Sequence, residues 1–345
     1  IKHVPFLNSL SNNVVSCIVE DNKYNLWIGT SDGGLNYYDN ASQLYKNYLF
    51  NSGNLDVPFK DIKTVYVDEV QDRIYVGAHA GGMMVLHRKS GYIEYYNRHN
   101  SNLPSNNIYS IISDGYGGLW VASLEYLLHF DIDKRNFTIV DVDEDGHKLQ
   151  QYNRLLFCDS KKRIWAGGEM GISVFNQVGT SLLPNTDFQI ASVLKQAFVN
   201  CFYETSSGYL WIGTRNGLFA LKESDKQFLQ YTTENGLPSN VIYGILEDAY
   251  GRLWISTNQG LSCLNPESGK FRNFTIMDGL QGNQFNAGAY CRKDNGYMLF
   301  GGVNGITSFR PETLIDNPYA PKPVINKLFV HNKEVLPDDE TGILK

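Results

Sequence analysis

Apolar residues alternate with polar ones in short runs along the whole chain, and one large side chain marks the same place in each run. Aligned on that place, the copies read Leu26-Trp27-Ile28-Gly29, Ile74-Tyr75-Val76-Gly77, Leu119-Trp120-Val121-Ala122, Ile164-Trp165-Ala166-Gly167, Leu210-Trp211-Ile212-Gly213, Leu253-Trp254-Ile255-Ser256 and Met298-Leu299-Phe300-Gly301. The spacings are 48, 45, 45, 46, 43 and 45 residues, and all five tryptophans fall at this position. Alternation of period two repeating at this interval predicts the blades of a β-propeller.

The sixth copy shows the expected blade. Val241 to Glu247 alternates and ends in acids, and Ala249-Tyr250-Gly251-Arg252 turns the chain into the Trp run. Asn258-Gln259-Gly260 then turns it into Leu261 to Leu264, and Asn265 to Gly269 into Phe271 to Ile276. These are four antiparallel strands, here a, b, c and d, joined by turn residues. The large side chain of strand b should pack between blades, and Gly, Ala or Ser two residues later should let the next sheet approach. Six residues after the Trp position stands Gly33, Gly81, Gly171, Gly217, Gly260 or Gly305, suited to a positive φ; the third copy has Tyr126 instead. Asp21, Asp114, Asp159 and Asp248 recur before the a–b turn and are expected to cap it.

The seventh copy lacks an outer strand after Arg310, whereas Ile1 to Phe6 looks like an outer strand without its blade. The expectation is an all-β, seven-bladed propeller of four-stranded antiparallel blades over residues 1–310, closed by the N-terminal strand, which removes the free sheet edges. Residues 311–323 read as a Pro-rich linker, and 324–345 as a short β segment, either the start of a β-sandwich or a tail along the propeller.

The bulk numbers narrow the function classes. A net charge of -6 with no basic run argues against a nucleic-acid partner. No stretch of about eighteen apolar residues occurs. The five cysteines lie far apart without metal-ligand spacing and read as small buried hydrophobes. No cofactor motif, metal motif or catalytic constellation stands out. The acidic run Asp141 to Gly146 reads as a solvated loop. Glu125 and Glu169, in adjacent blades, are the one carboxylate pair worth testing for glycoside chemistry. The chain reads as a piece of something longer.

Chemistry is expected where the d–a and b–c loops share one face. The ligand candidates there are His79, Tyr126, Tyr152, Arg154, Glu169, Arg215, Asn216 and Asn304. Amides, guanidiniums and aromatic rings suit sugar hydroxyls and pyranose faces, and Arg154 and Arg215 could fork onto a carboxylate or sulfate.

The Leu-Trp-Ile-Gly-Thr-x-x-Gly-Leu unit at 210–218, its copies at 26–35 and 253–261, and the preceding Leu103-Pro104-Ser105-Asn106 and Leu237-Pro238-Ser239-Asn240 resemble the two-component-regulator propeller repeat. Gly279 to Asn286 with Gly301 to Ile306 is similar to the last repeat before the Ig-like, Tyr-rich domain of such sensors, and Pro321 to Val335 to that domain's start. The resemblance implies the periplasmic sensor region of an inner-membrane hybrid two-component system of Bacteroides type. It implies sensing of polysaccharide-derived oligosaccharides and control of glycan-utilisation genes. It further implies a preceding propeller and a following Ig-like domain as partners in the same chain, a homodimer, and a histidine kinase elsewhere in the full protein. This piece itself is expected to be no enzyme and to touch no nucleic acid. A propeller lyase or glycosidase, or a protein-interaction scaffold, are the alternatives.

Overall fold

The computed structural model describes residues 1–48, 59–123, 125–140, 153–185, 187, 193–194, 197–222, 227–314, 328–331 and 333–335. The acidic run Asp141 to Gly146, Tyr152 and most of the Pro-rich stretch lie outside them. Two compact units result, Ile1–Pro311 and Glu312–Lys345. In the second, strands Leu328–Val330 and Lys333–Val335 form a hairpin turned at His331, whose φ is 49°.

The first unit is the seven-bladed propeller. Blade 5 is representative, with strands Val199–Glu204, Leu210–Thr214, Gly217–Lys222 and Gln227–Tyr231 paired in sequence order. Blade 7 has Phe285–Arg292, Met298–Gly302 and Gly305–Phe309. Its outer position is taken by Ile1, which exchanges both antiparallel hydrogen bonds with Ile306 at 2.8 and 2.7 Å. The hairpin glycine of strand c identifies the position. A Cβ on Gly217 would strike the carbonyl of Tyr231, on Gly260 that of Phe274, and on Gly305 that of Ile1. Ile1 therefore stands where blades 5 and 6 end their outer strands. The rest of the expected strand departs: His3 N donates to Asn13 Oδ1 at 2.7 Å, and Phe6 adopts a left-handed backbone with φ 64°.

The core is a ring of apolar clusters, each shared by two neighbouring blades. Trp211 of blade 5 packs with Ile242, Ile245 and Leu253 of blade 6, and Trp165 of blade 4 with Phe202 and Ile212 of blade 5. Val15, Ile18 and Ile28 of blade 1 meet Ala289, Leu299 and Ile306 of blade 7, closing the ring. Burying one side chain of this size contributes about 1.5–3 kcal/mol. The small residue after the Trp is a steric requirement: a Cβ on Gly213 would lie 2.3 Å from Cys201 Sγ and 2.7 Å from Ile242 Cγ2.

The hairpin glycine differs from expectation in two blades. Positive φ falls on Gly34 and Gly82, not on Gly33 and Gly81, because those b–c turns hold one residue more and place Asp32 and Ala80 in the left-handed region as well.

The capping aspartates do more than hold turns. Asp159 Oδ1 accepts from the backbones of Lys161 and Arg163, and its Oδ2 from Arg163 Nε and from the indole of Trp165 at 2.8 Å. Trp and Asp recur together because the core ring would otherwise bury an unpaired N–H. A glutamate then joins neighbouring blades: Glu204 accepts from Ser160 N, Glu247 from Ser206 N, Glu69 from Asn22 N and Glu20 from Asp294 N.

All five cysteines are free thiols. Burial pushes Cys17 and Cys291 up to about 12, Cys263 to about 11 and Cys201 higher still, and it also raises the half-buried Cys158. A thiolate-directed reagent such as DTNB at pH about 8 should therefore react slowly with the native protein, first at Cys158, and with all five thiols after denaturation. Rapid reaction of two or more native thiols would contradict this packing.

Candidate ligand-binding site at the channel mouth

Every inner strand carries an irregularity near its start. In six blades one residue slips out of the a–b ladder: Ser16, Lys63, Tyr109, Arg154, Asn200 and Tyr243. In blade 7 the slip spans Asn286 to Ala289. A bulge re-aims the extra side chain, and these residues all reach the central channel. Some also stitch blades together, since a bulge frees a carbonyl of the ladder. Ser16 Oγ donates to Ile62 O, Asn200 Nδ2 to Ile242 O at 2.8 Å, and Asn286 Nδ2 to Val15 O at 2.7 Å.

The bulged residues line a cavity of about 590 Å³ at the channel mouth, completed by Ser31, His79 and Arg215 from the b–c turns and by Phe198. The two loop sets thus share one face. They are bonded there: Gly217 N donates to Asn240 O and Gly260 N to Asn283 O.

Arg154 is the centre of the mouth. Its guanidinium pairs with Glu169 at 2.5 Å and lies 4.9 Å from the Tyr109 ring and 5.7 Å from the Phe198 ring. Its Nε is buried with no hydrogen-bond partner among the described residues. Arg215 sits 3.7 Å from the same Phe198 ring and has no acidic partner among the described residues. Lys63 pairs with Asp61 at 2.9 Å. Tyr109 Oη approaches His79 Nδ1 at 3.5 Å, and burial chiefly raises its pKa, against the lowering charge of Arg154. Two of these cations are neutralised by acids, so Arg215 leaves the mouth with a spare positive charge and a spare Arg154 donor beside aromatic rings. That set can hold hydroxyls and one anionic group.

The candidate residues divide accordingly. Arg154, Arg215 and His79 line the cavity, and Glu169 holds Arg154. Tyr126 keeps an ordinary backbone, and its ring packs against the apolar cluster between blades 2 and 3. Asn304 is held by Gln281: its N donates to Gln281 Oε1 at 2.9 Å, and its Nδ2 to Gln281 O at 2.7 Å. Asn216 is an exposed turn residue whose N is held by Thr214 Oγ1. Tyr152 is outside the described residues. The bulged residues other than Arg154 escaped the sequence reading. A usable signal existed: Ser16, Tyr109, Arg154, Asn200 and Tyr243 each precede their Trp by eleven positions.

A family model described as "Two component regulator propeller" matches residues 9–32, 102–125, 194–216 and 236–259. A curated relative, "Histidine kinase P4" of Formosa agariphila, is 25% identical over 97% of this chain, and the chain spans 25% of that protein. Among solved structures, the extracellular domain of a protein assigned as a hybrid two-component system of B. thetaiotaomicron superposes with a TM-score of 0.74 at 22% identity, covering 96% of this chain and 45% of that one. Virginiamycin B lyase from Staphylococcus aureus superposes at 0.63 with 14% identity, covering 88% and 96%. At these identities both structures attest the fold. The chain is a seven-bladed propeller, four segments of which match the two-component regulator propeller model.

Proposed function

We propose that the chain is the ligand-sensing, non-enzymatic propeller of an extracytoplasmic sensor region, and that its ligand is an oligosaccharide bearing a carboxylate or sulfate. The observation that carries this is the pair of guanidiniums against Phe198 at the mouth, one of them without an acid among the described residues. The family match and the kinase relative support a sensory rather than a catalytic setting. In this reading the full protein is a periplasmic-facing inner-membrane hybrid sensor histidine kinase that controls glycan-utilisation genes. A preceding propeller and a following Ig-like domain complete its sensor region, and a homodimer carries the signal inward.

Calorimetry of this chain, and of a longer chain containing the neighbouring domains, against neutral, uronate-containing and sulfated oligosaccharides tests the reading. Arg215→Ala should weaken acidic ligands about 10- to 100-fold, the loss of one charge-assisted hydrogen bond. Binding by neither chain would sink the reading, and turnover of any sugar would move it to a lyase or glycosidase.

A further inference from the structure

The propeller's opposite face, formed by the a–b and c–d turns, has one cleft unlike the rest. Four of the five tryptophans give their indole N–H to an acceptor: Trp27 to Asp21, Trp120 to Gln177, Trp165 to Asp159 and Trp254 to Asp248. Trp211, 2% exposed, has no such acceptor among the described residues. Two coupled departures from the repeat are the cause. Thr205 replaces the aspartate; its Oγ1 accepts from Tyr209 N at 3.1 Å and so still holds the turn, but no second oxygen reaches the indole. Tyr209 replaces the arginine that, as Arg163 and Arg252, binds the aspartate and lies 5.8 and 6.0 Å from the Trp ring. Without this charged plug, the cavity of about 330 Å³ between blades 5 and 6 is left with no cation in its lining among the described residues.

Trp211, Tyr209, Tyr231 and Tyr250 supply its rings, and Glu247 and Glu267 its acids. No Lys or Arg lines it among the described residues; Lys222, over Tyr209, and Arg252, over Tyr250, stand outside the lining. By contrast the clefts of blades 1/2 and 4/5 hold Arg88 and Arg163 beside their aspartates. An occupant must accept a hydrogen bond from the indole, which a cation or a hydrocarbon side chain does not do. It must donate to Glu267, which an anion does not do, since Glu247 already accepts from Ser206 N and Oγ. It must also offer a flat apolar face to the rings. A neutral pyranose meets all three conditions, through one hydroxyl oxygen, its other hydroxyl protons and its C–H face.

We propose that this cleft is a second carbohydrate site, specific for a neutral sugar ring. It is separate from the channel mouth in place and in charge, so it stands or falls independently of the reading given for the mouth. Saturation-transfer NMR and calorimetry with maltotriose, cellotriose and xylotriose test it. The double substitution Thr205→Asp with Tyr209→Arg installs the plug of blades 4 and 6 and should weaken binding about tenfold or more. Tyr250→Ala, at an exposed ring, should weaken it severalfold without disturbing the core. Failure of all three trisaccharides to bind, or unchanged affinity in both variants, overturns the proposal. Loss of binding on Arg215→Ala would place the sugar at the mouth instead and overturn it equally.

Discussion

Asp248→Ala should destabilise the propeller by about 3–5 kcal/mol, the cost of removing one partner from a buried, hydrogen-bonded ion pair. The carboxylate is fully buried. Its Oδ1 accepts from Tyr250 N and Arg252 N, both at 2.9 Å, and its Oδ2 from Arg252 Nε at 2.7 Å and Trp254 Nε1 at 3.0 Å. Removing it strands the indole N–H inside the blade 6/7 cluster and frees two amides in a tight turn. Each buried donor left unmade costs about 1–3 kcal/mol. Arg252 is 32% exposed and can turn to water, so its share is the smallest. Thr205→Ala is the contrast: blade 5 already lacks the indole bond and the ion pair, so the loss is confined to the hydroxyl, which accepts from Tyr209 N and donates to Tyr209 O or Ser207 Oγ, neutral bonds worth about 1 kcal/mol each. Midpoints and slopes from urea denaturation measure both. Equal losses for the two substitutions would show that the Asp–Trp link is incidental to the turn.

The architecture was legible because every blade solves the same packing problem with the same residues. The Trp wedge, the small residue at Gly213 and the aspartate at 248 each answer a steric or hydrogen-bonding demand that recurs around the ring, so repetition exposes them. The site was legible only in part. Arg154, Arg215 and His79 were found as loop residues that break the pattern, and the structure gathers them at one mouth. The rest of the ring stayed hidden because a bulge moves a side chain by slipping the ladder one residue, and alternation counted along one strand reads that slip as a strand end. The polar residues visible before the slips are Asn13, Lys60, Asn107 and Asn240, two or three positions earlier. Those serve the turns: Asn107 Oδ1 accepts from Ala80 N, Asn240 Oδ1 from Thr233 N, and the Lys60 carbonyl from Gly34 N. Tyr126 was hard to place for another reason. Its place in a turn says nothing about which way the ring folds, and an apolar cluster lay within reach.

Gly260→Ala is expected to lose about 2–5 kcal/mol, from two penalties at one atom. The first is conformational. Gly260 has φ 110°, and an L-residue forced into the left-handed half of the map pays about 1–2 kcal/mol. The second is steric. The new Cβ would lie 2.2 Å from the carbonyl oxygen of Phe274, a backbone atom of the outer strand held by its pairing with Leu261. A side chain could swing aside, but this carbonyl can yield only by displacing the strand, and overpacking of this kind costs about 1–3 kcal/mol. Gly117→Ala separates the two terms. Its φ of 97° is close to that of Gly260, yet a Cβ there meets nothing within 4 Å, so it should lose only the conformational part. The difference between the two variants in urea denaturation measures the clash alone. A difference near zero would mean that the outer strand of blade 6 shifts freely. The same contact at Gly305, where Ile1 supplies the carbonyl, would then be too soft to define the closure of the ring.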